Sequence, residues 1–129
     1  MKIYFARSIR GDSSVNVENL QKSLKQFGEV LSENFDYSKD VSRDQHIFEN
    51  DLRMLQSADV VIAEVSNPSL GVGYEIAIAE RLGKPILCLA KEGILVSAMV
   101  TANPQVTFAP YSTIQDAHLH VQSFLDKIK

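Results

Sequence analysis

Short apolar runs alternate along the chain with segments whose apolar residues recur at helical spacing. The runs are typical of buried strands, and the recurring positions are typical of one apolar face of a helix. The alternation predicts βαβ units, and therefore an α/β fold with a five-stranded parallel sheet flanked by helices. We expect a flavodoxin-like, Rossmann-like three-layer sandwich with strand order 2-1-3-4-5. The predicted strands are Lys2–Ala6, Glu29–Asn34, Asp59–Val65, Pro85–Leu89 and Val106–Ala109.

Four helices are predicted between and after these strands. The first ends at Gly28, the second begins with a capping box at Ser42–Gln45 and runs to about Ser57, and the third runs from about Tyr74 to Gly83. The last begins at the cap Ser112–Gln115. The apolar face of the first is Val15, Val17, Leu20, Leu24 and Phe27, and that of the last is Ile114, Ala117, Val121, Leu125 and Ile128. His118 and His120 are expected on the flanks and outer face of the last helix.

Composition indicates one domain, residues 1–129, with a single sizeable core, since 45% of the residues are hydrophobic. The net charge of -3 disfavours nucleic-acid and membrane-surface binding and leaves a small metabolite as the expected ligand. No signal peptide or membrane-length apolar stretch is evident, so we expect a cytoplasmic protein. Cys88 is the single cysteine and lies in a core strand, and the three scattered histidines give no metal-ligand spacing. We expect neither a metal nor a cofactor.

Ligands of such sheets bind outside the carboxyl ends of the strands, at the switch point between strands one and three. The loop after strand one, Arg7–Ser14, offers backbone amides, hydroxyls, a glycine and two guanidinium groups ahead of a helix. It is a candidate phosphate cradle, because guanidinium groups and amides match phosphate oxygens. Taken alone, the pattern fits a solvated turn with a helix cap equally well.

The loop after strand three is rich in glycine and leads to a carboxylate. Gly71 and Gly73 would let the backbone approach a ligand before a helix begins at about Tyr74. Glu75 would then lie in the first helical turn, where the helix dipole keeps a carboxylate ionised. Glu75 is therefore the candidate nucleophile.

A second carboxylate, Asp51, falls inside the apolar face of the preceding helix. Either it is paired structurally, for example with Arg53 or Arg81, or it is held at a cleft wall for chemistry, where burial would suit it to carry a proton. Glu49 is more simply a surface residue, and Glu64 either contacts a ligand or caps a loop. The apolar residues of this helix face are Ile47, Phe48, Leu52 and Leu55.

Eight segments together carry a resemblance to a known family. They are Lys2–Phe5, Ser8–Gly11, Glu49–Leu52, Ala58–Val61, Ala63–Val65, Pro68–Glu75, Gly83–Leu89 and Ser97–Met99. The unbroken run Pro-Ser-Leu-Gly-Val-Gly-Tyr-Glu at 68–75 is the most specific part. Through these segments nearly the whole chain resembles the 2'-deoxynucleoside 5'-phosphate N-hydrolases, a branch of the nucleoside 2-deoxyribosyltransferase superfamily.

The resemblance implies a homodimeric enzyme that cleaves deoxynucleoside monophosphates to a free base and deoxyribose 5-phosphate. It implies Glu75 as the nucleophile, Asp51 as the proton donor to the leaving base, and Tyr4 as the residue that orients Glu75. Ser69 would hold the 5'-phosphate, and Ser97 would reach it from the neighbouring subunit. The remaining substrate-binding candidates are Arg7, Ser8, Ile9, Arg10, Gly11, Asn34, Gly71, Ala98 and Met99. Arg7, Asp12 and Asn34 depart from the residues that are usual in relatives, namely glycine, glycine and histidine.

Two alternatives remain open at this stage. A deoxyribosyltransferase would pass the sugar from Glu75 to another base, although free nucleosides would gain little from phosphate ligands at Arg10 and Ser69. A non-catalytic nucleotide-binding protein could use the same scaffold, because a fold does not fix a function.

Overall fold

The structure is a computed structural model that describes residues 1–8, 17–31 and 43–129. The described elements form a five-stranded parallel sheet in the order β2-β1-β3-β4-β5, which confirms the predicted order. Helices pack on both faces of the sheet. The elements are β1 (Lys2–Ala6), α1 (Val17–Leu24), β2 (Glu29–Val30), α2 (Arg43–Ser57), β3 (Val60–Glu64), α3 (Leu70–Arg81), β4 (Ile86–Lys91), α4 (Ala98–Thr101), β5 (Val106–Tyr111) and α5 (Ile114–Ile128).

Side-chain alternation along the strands divides the core into two layers. Ile3 and Phe5 of β1 pack with α1 and α5 in the first layer, and Tyr4 and Ala6 pack with α2 and α3 in the second. Strands β1 and β3 pair in register from Ile3 opposite Val60 to Ala6 opposite Ala63, so both strands end at one edge. The second layer therefore places α2 and α3 over the paired carboxyl ends of β1 and β3.

Cys88 lies on β4 within the second layer and has no exposed surface. Burial raises the pKa of its thiol to about 12. The predicted packed core thiol is confirmed, and the thiol is far from the acidity of a reactive cysteine.

Helix α3 begins at Leu70, so the prediction of a start at about Tyr74 was wrong. Ser69 is its N-cap, and its hydroxyl oxygen accepts a bond from the amide of Val72. Gly71 and Gly73 are consequently helical residues, and Val72 between them is buried against the sheet. Packing and a good cap outweigh the low helix propensity of the two glycines.

Other boundaries differ by smaller amounts. Strand β5 continues through Pro110 to Tyr111, which an edge strand permits although proline has no amide hydrogen to donate. The N-cap of α5 is Thr113, one residue later than predicted, and the four-residue helix α4 was not predicted. Predicted features at Val15, at 32–34 and at Ser42 lie outside the described residues.

The predicted apolar face of α2 is only partly buried. Leu55 is 1% exposed, as expected of the buried face. Phe48 is 54% exposed in the single chain, so the assignment of Phe48 to the buried face was wrong. Glu49 is exposed and accepts a bond from Gln45, as expected of a surface residue.

Within the described residues, no helix is both long and apolar enough to cross a membrane.

Gly28 makes the tightest backbone approach among the described glycines. A Cβ at this position would lie 2.3 Å from the carbonyl oxygen of Met1, which accepts a 2.9 Å bond from the amide of Glu29. Only glycine therefore fits at the turn between α1 and β2.

Candidate active site

Tyr4 and Glu75 meet above the sheet because each lies on an element of the second core layer. Tyr4 projects from the middle of β1 and is 2% exposed, while Glu75 lies in the second turn of α3 and is partly buried. The Tyr4 hydroxyl donates a hydrogen bond to Oε2 of Glu75. The rigid strand thus fixes the direction in which the carboxyl group points.

Asp51, on α2, joins this pair from the neighbouring helix. Its carboxyl group forms a hydrogen bond with that of Glu75. A hydrogen bond between two carboxyl groups requires that one of them carry a proton. Of the two expectations for Asp51, the structure favours a group held against the candidate nucleophile.

The electrostatics of Glu75 differ from expectation. Burial raises the pKa of its carboxyl group from 4.5 to about 7; the bond from Tyr4 opposes this rise, and the charge and hydrogen bond of Asp51 add to it. The prediction that the helix dipole keeps Glu75 ionised was therefore wrong. Glu75 lies beyond the first turn, where the dipole has little effect, and desolvation dominates.

Tyr4, Asp51 and Glu75 come from three separate elements, and the structure brings all three predicted catalytic residues together. Because the two carboxyl groups share a hydrogen bond, the proton between them is best described as a property of the pair. Such a pair can supply one ionised oxygen as a nucleophile and one protonated oxygen as an acid. The Tyr4 hydroxyl favours the ionised form of Glu75 and so lowers its pKa against the larger effect of burial.

The N-terminus of α3 lies five residues before Glu75 on the same helix. Ser69 is partly buried, and its hydroxyl accepts from Val72 while its own hydrogen can still be donated. A Cβ on Gly71 would approach only the Ser69 hydroxyl, at 3.9 Å, and one on Gly73 would meet nothing within 4 Å. Neither glycine is therefore required by packing among the described residues, and both leave the first turns of α3 open to a close approach.

The other predicted binding residues are distributed around this edge or lie outside the description. Arg7 and Ser8 follow β1 directly and are partly buried. Ser97 is the N-cap of α4, and Ser97, Ala98 and Met99 are all exposed. Ile9, Arg10, Gly11 and Asn34 lie outside the described residues.

A polar network that the sequence did not reveal lies at the end of β3. Glu64 is 4% exposed, accepts from the amide of Ser66 at 2.6 Å, and accepts a bond from the hydroxyl of Tyr111. Of the two expectations for Glu64, loop capping is observed. Tyr111 lies 47 residues away in sequence, so no local pattern could have indicated the contact.

Comparison with known proteins shows which family the chain belongs to. The sequence model of the nucleoside 2-deoxyribosyltransferase family matches residues 3–120. The chain belongs to the nucleoside 2-deoxyribosyltransferase family. Within this family it is 38% identical over 125 residues to a Syntrophotalea carbinolica protein assigned the name 2'-deoxynucleoside 5'-phosphate N-hydrolase 1, over 90% of this chain and 88% of that protein.

A second relative comes from Rattus norvegicus. The chain is 43% identical to its 5-hydroxymethyl-dUMP N-hydrolase over 109 residues, which are 76% of this chain and 67% of that protein. The structure of a Clostridium botulinum CMP N-glycosidase superposes with a TM-score of 0.69 at 19% identity, over 95% of this chain and 99% of that one. The predicted family and the predicted fold are both confirmed.

Proposed function

We propose that the protein hydrolyses the N-glycosidic bond of 2'-deoxynucleoside 5'-monophosphates, releasing the base and 2-deoxyribose 5-phosphate. The observation that carries the proposal is the contact of Glu75 with both Tyr4 and Asp51 in this family's fold. The two relatives at 38% and 43% identity are named as nucleotide N-hydrolases, which supports an N-glycosidase. The substrate class and the covalent step are our inference.

In the first step, an ionised Glu75 oxygen bonds to C1' of the sugar while the bond from C1' to the base nitrogen breaks. The electron pair of that bond stays with the base, which takes the proton held by Asp51. Positive charge develops on the ring during this step, and the Glu75 carboxylate stabilises it. Protonation matters because a nucleobase is a poor leaving group as an anion.

In the second step, water attacks C1' of the glycosyl-enzyme and gives a proton to the Asp51 carboxylate. The bond between C1' and Glu75 breaks, which restores the carboxylate and the shared proton. The cycle consumes one water per bond cleaved. Because one proton leaves Asp51 and one returns to it, two carboxyl groups joined by a hydrogen bond fit both steps.

A 5'-phosphate is supported by the N-terminus of α3. Unpaired amides at the start of a helix and the positive end of its dipole attract anions, and the Ser69 hydroxyl adds a donor at that end. Arg7, at the end of β1, supplies a cation beside the same edge of the sheet. These features favour a hydrolase of nucleotides over a transferase of free nucleosides.

We further propose that the enzyme works as a homodimer in which Ser97 of one subunit completes the phosphate site of the other. Ser97 is exposed at the start of α4, and Met99 beside it is 80% exposed. Leu70 and Tyr74 on α3 are 96% and 62% exposed, so the surface next to Ser69 and Glu75 is apolar. An apolar surface around a polar site is typical of a subunit interface.

The test is direct measurement of base release from a panel that contains dGMP, 5-hydroxymethyl-dUMP and the ribonucleotide CMP, without an acceptor base. We expect release from the deoxynucleotides, and trapped enzyme should carry a pentosyl adduct on Glu75 by mass spectrometry. Turnover that depends on added adenine would instead support the transferase.

Three carboxyl variants separate chemistry from binding. Glu75→Gln should abolish turnover while deoxynucleotide binding is retained, and Asp51→Asn should lower kcat by at least about 100-fold, the usual contribution of a general acid. Glu49→Gln, on the exposed side of α2, is the matched control and should retain full activity. Equal turnover in the wild type and Glu75→Gln would refute the proposed mechanism.

A further inference from the structure

The network around Glu64 lies on the other side of the sheet from Glu75. Glu64 continues the alternation of Val60 and Ile62, which belong to the α1 and α5 layer, and Tyr111 is part of that same layer. Glu64, Ser66 and Tyr111 are 4%, 5% and 1% exposed. A carboxyl group is therefore held within the apolar layer that does not contain the candidate catalytic residues.

A buried carboxyl group is costly unless hydrogen bonds compensate for its lost hydration, and apolar residues of the same volume would fill the space more simply. Here both oxygens are bonded, one to the Ser66 amide and the other to the Tyr111 hydroxyl. The Ser66 hydroxyl accepts in turn from the amide of Lys91 at 2.9 Å. The network thus joins the turn after β3 to the ends of both β4 and β5.

The turn held in this way leads directly into the proposed phosphate site. The amide of Val65 bonds to the carbonyl of Leu89 at 2.8 Å, and Ser66 is fixed by Glu64 and Lys91. Only Asn67 and Pro68 then separate Ser66 from Ser69, and the ring of Pro68 fixes one backbone torsion. Little freedom remains between the buried network and the Ser69 hydroxyl.

We propose that Glu64 and Tyr111 are positioning residues, which set the place of the Ser69 hydroxyl for the 5'-phosphate. The inference rests on the proposed function, because it assigns a task to the phosphate site named there. Its consequence is specific: the network contributes to turnover only through Ser69. The role differs from general stabilisation, which would affect the enzyme whether or not Ser69 is present.

A double-mutant cycle on base release from dGMP tests this consequence. Tyr111→Phe removes the hydroxyl and should lower kcat/KM about 10-fold, mainly through a higher KM. In a Ser69→Ala background the same change should cost less than about 2-fold. Ser23→Ala is the control, since it removes a partly buried side-chain hydrogen bond to His118, between α1 and α5, and should leave kcat/KM unchanged.

The conservative variant Glu64→Gln provides a rescue test. Its amide oxygen can still accept from the Ser66 amide, and its amide nitrogen can donate to the Tyr111 oxygen. We expect Glu64→Gln to keep at least half of the wild-type kcat/KM and Glu64→Ala to lose at least 10-fold. Equal losses in the two variants would show that the geometry of the network does not matter and would overturn the inference.

A binding measurement covers the case in which an activity variant is unstable or the substrate is wrong. Inorganic phosphate is titrated into the wild type and Tyr111→Phe, and the amide resonances of Ser69 and Val72 are followed by NMR. A response that is present in the wild type and lost in Tyr111→Phe supports the inference, and equal responses overturn it.

Failure of the inference can be told apart from failure of the proposed function. If Ser69→Ala alone costs nothing and phosphate leaves the Ser69 amide unmoved, the phosphate site is wrong, and the inference falls with it. Suppose instead that Ser69→Ala is costly and that the double variant loses kcat/KM by the product of the two single fold-losses. Tyr111 then acts independently of Ser69, so the proposed function stands and the inference alone is overturned.

Discussion

Replacing Glu75 by glutamine should stabilise the protein above neutral pH. The native carboxyl group holds its proton up to about pH 7, whereas the unfolded chain releases it near pH 4.5. Between these values the native state binds more protons, so the stability of the wild type falls as pH rises. Glu75→Gln cannot ionise, and its amide can still accept from Tyr4 and donate to Asp51.

The size of the effect follows from the two pKa values. The difference between 4.5 and about 7 corresponds to about 3 kcal/mol of unfolding free energy at pH values above 7. For a chain of this length that is a rise in Tm of about 10 °C. Near pH 4 the carboxyl group is protonated in both states, so the two proteins should have similar stability.

The assay is urea denaturation of both proteins at pH 4 and pH 8, with thermal melts at each pH. Glu49→Gln is the control: it neutralises an exposed carboxylate, which water screens, so its stability should track that of the wild type at both pH values. If Glu75→Gln is no more stable than the wild type at pH 8, burial of the ionised Glu75 carboxylate does not destabilise the native state, and the argument is refuted.

Three further predictions follow from named contacts. Tyr4→Phe removes a bond that favours ionised Glu75, so the pKa of Glu75 should rise, and the acidic limb of the pH profile of kcat/KM, where the nucleophile becomes ionised, should move to higher pH. Gly71→Ala should stabilise α3 by about 0.5 kcal/mol, because a methyl group there meets only one atom within 4 Å, yet it should raise KM for dGMP because that atom belongs to the proposed phosphate ligand. Gly28→Ala should cost about 2 kcal/mol in urea denaturation, because its methyl group would overlap a backbone carbonyl, whereas Gly73→Ala, where a methyl group meets nothing, should not destabilise the fold.

Sequence patterns predicted the fold well where the signal was local. Lys2–Ala6 is a strand as predicted, because a short apolar run buried on both faces has few alternatives. The start of α3 was misplaced because Gly71 and Gly73 lower helix propensity, and the capping by Ser69 and the burial of Val72 that offset it are visible only in three dimensions.

The candidate site shows the same division. The sequence pattern singled out Glu75 and Asp51, the family resemblance added Tyr4, and the structure brings the three together. The protonation of Glu75 could not be read from the sequence, since it depends on burial and on a neighbouring carboxyl group from another helix. The contact of Glu64 with Tyr111 joins distant strands and leaves no periodic trace in the sequence.

The isolation of Cys88 gives the protein an intrinsic reporter of its own opening. It is the single cysteine of the chain, it is fully shielded within the layer beneath Tyr4, and its thiol has a pKa of about 12. Alkylating reagents attack thiolates, so labelling requires that this layer separate. The labelling rate therefore measures how often the core layer that holds Tyr4 opens under native conditions, without any engineered probe.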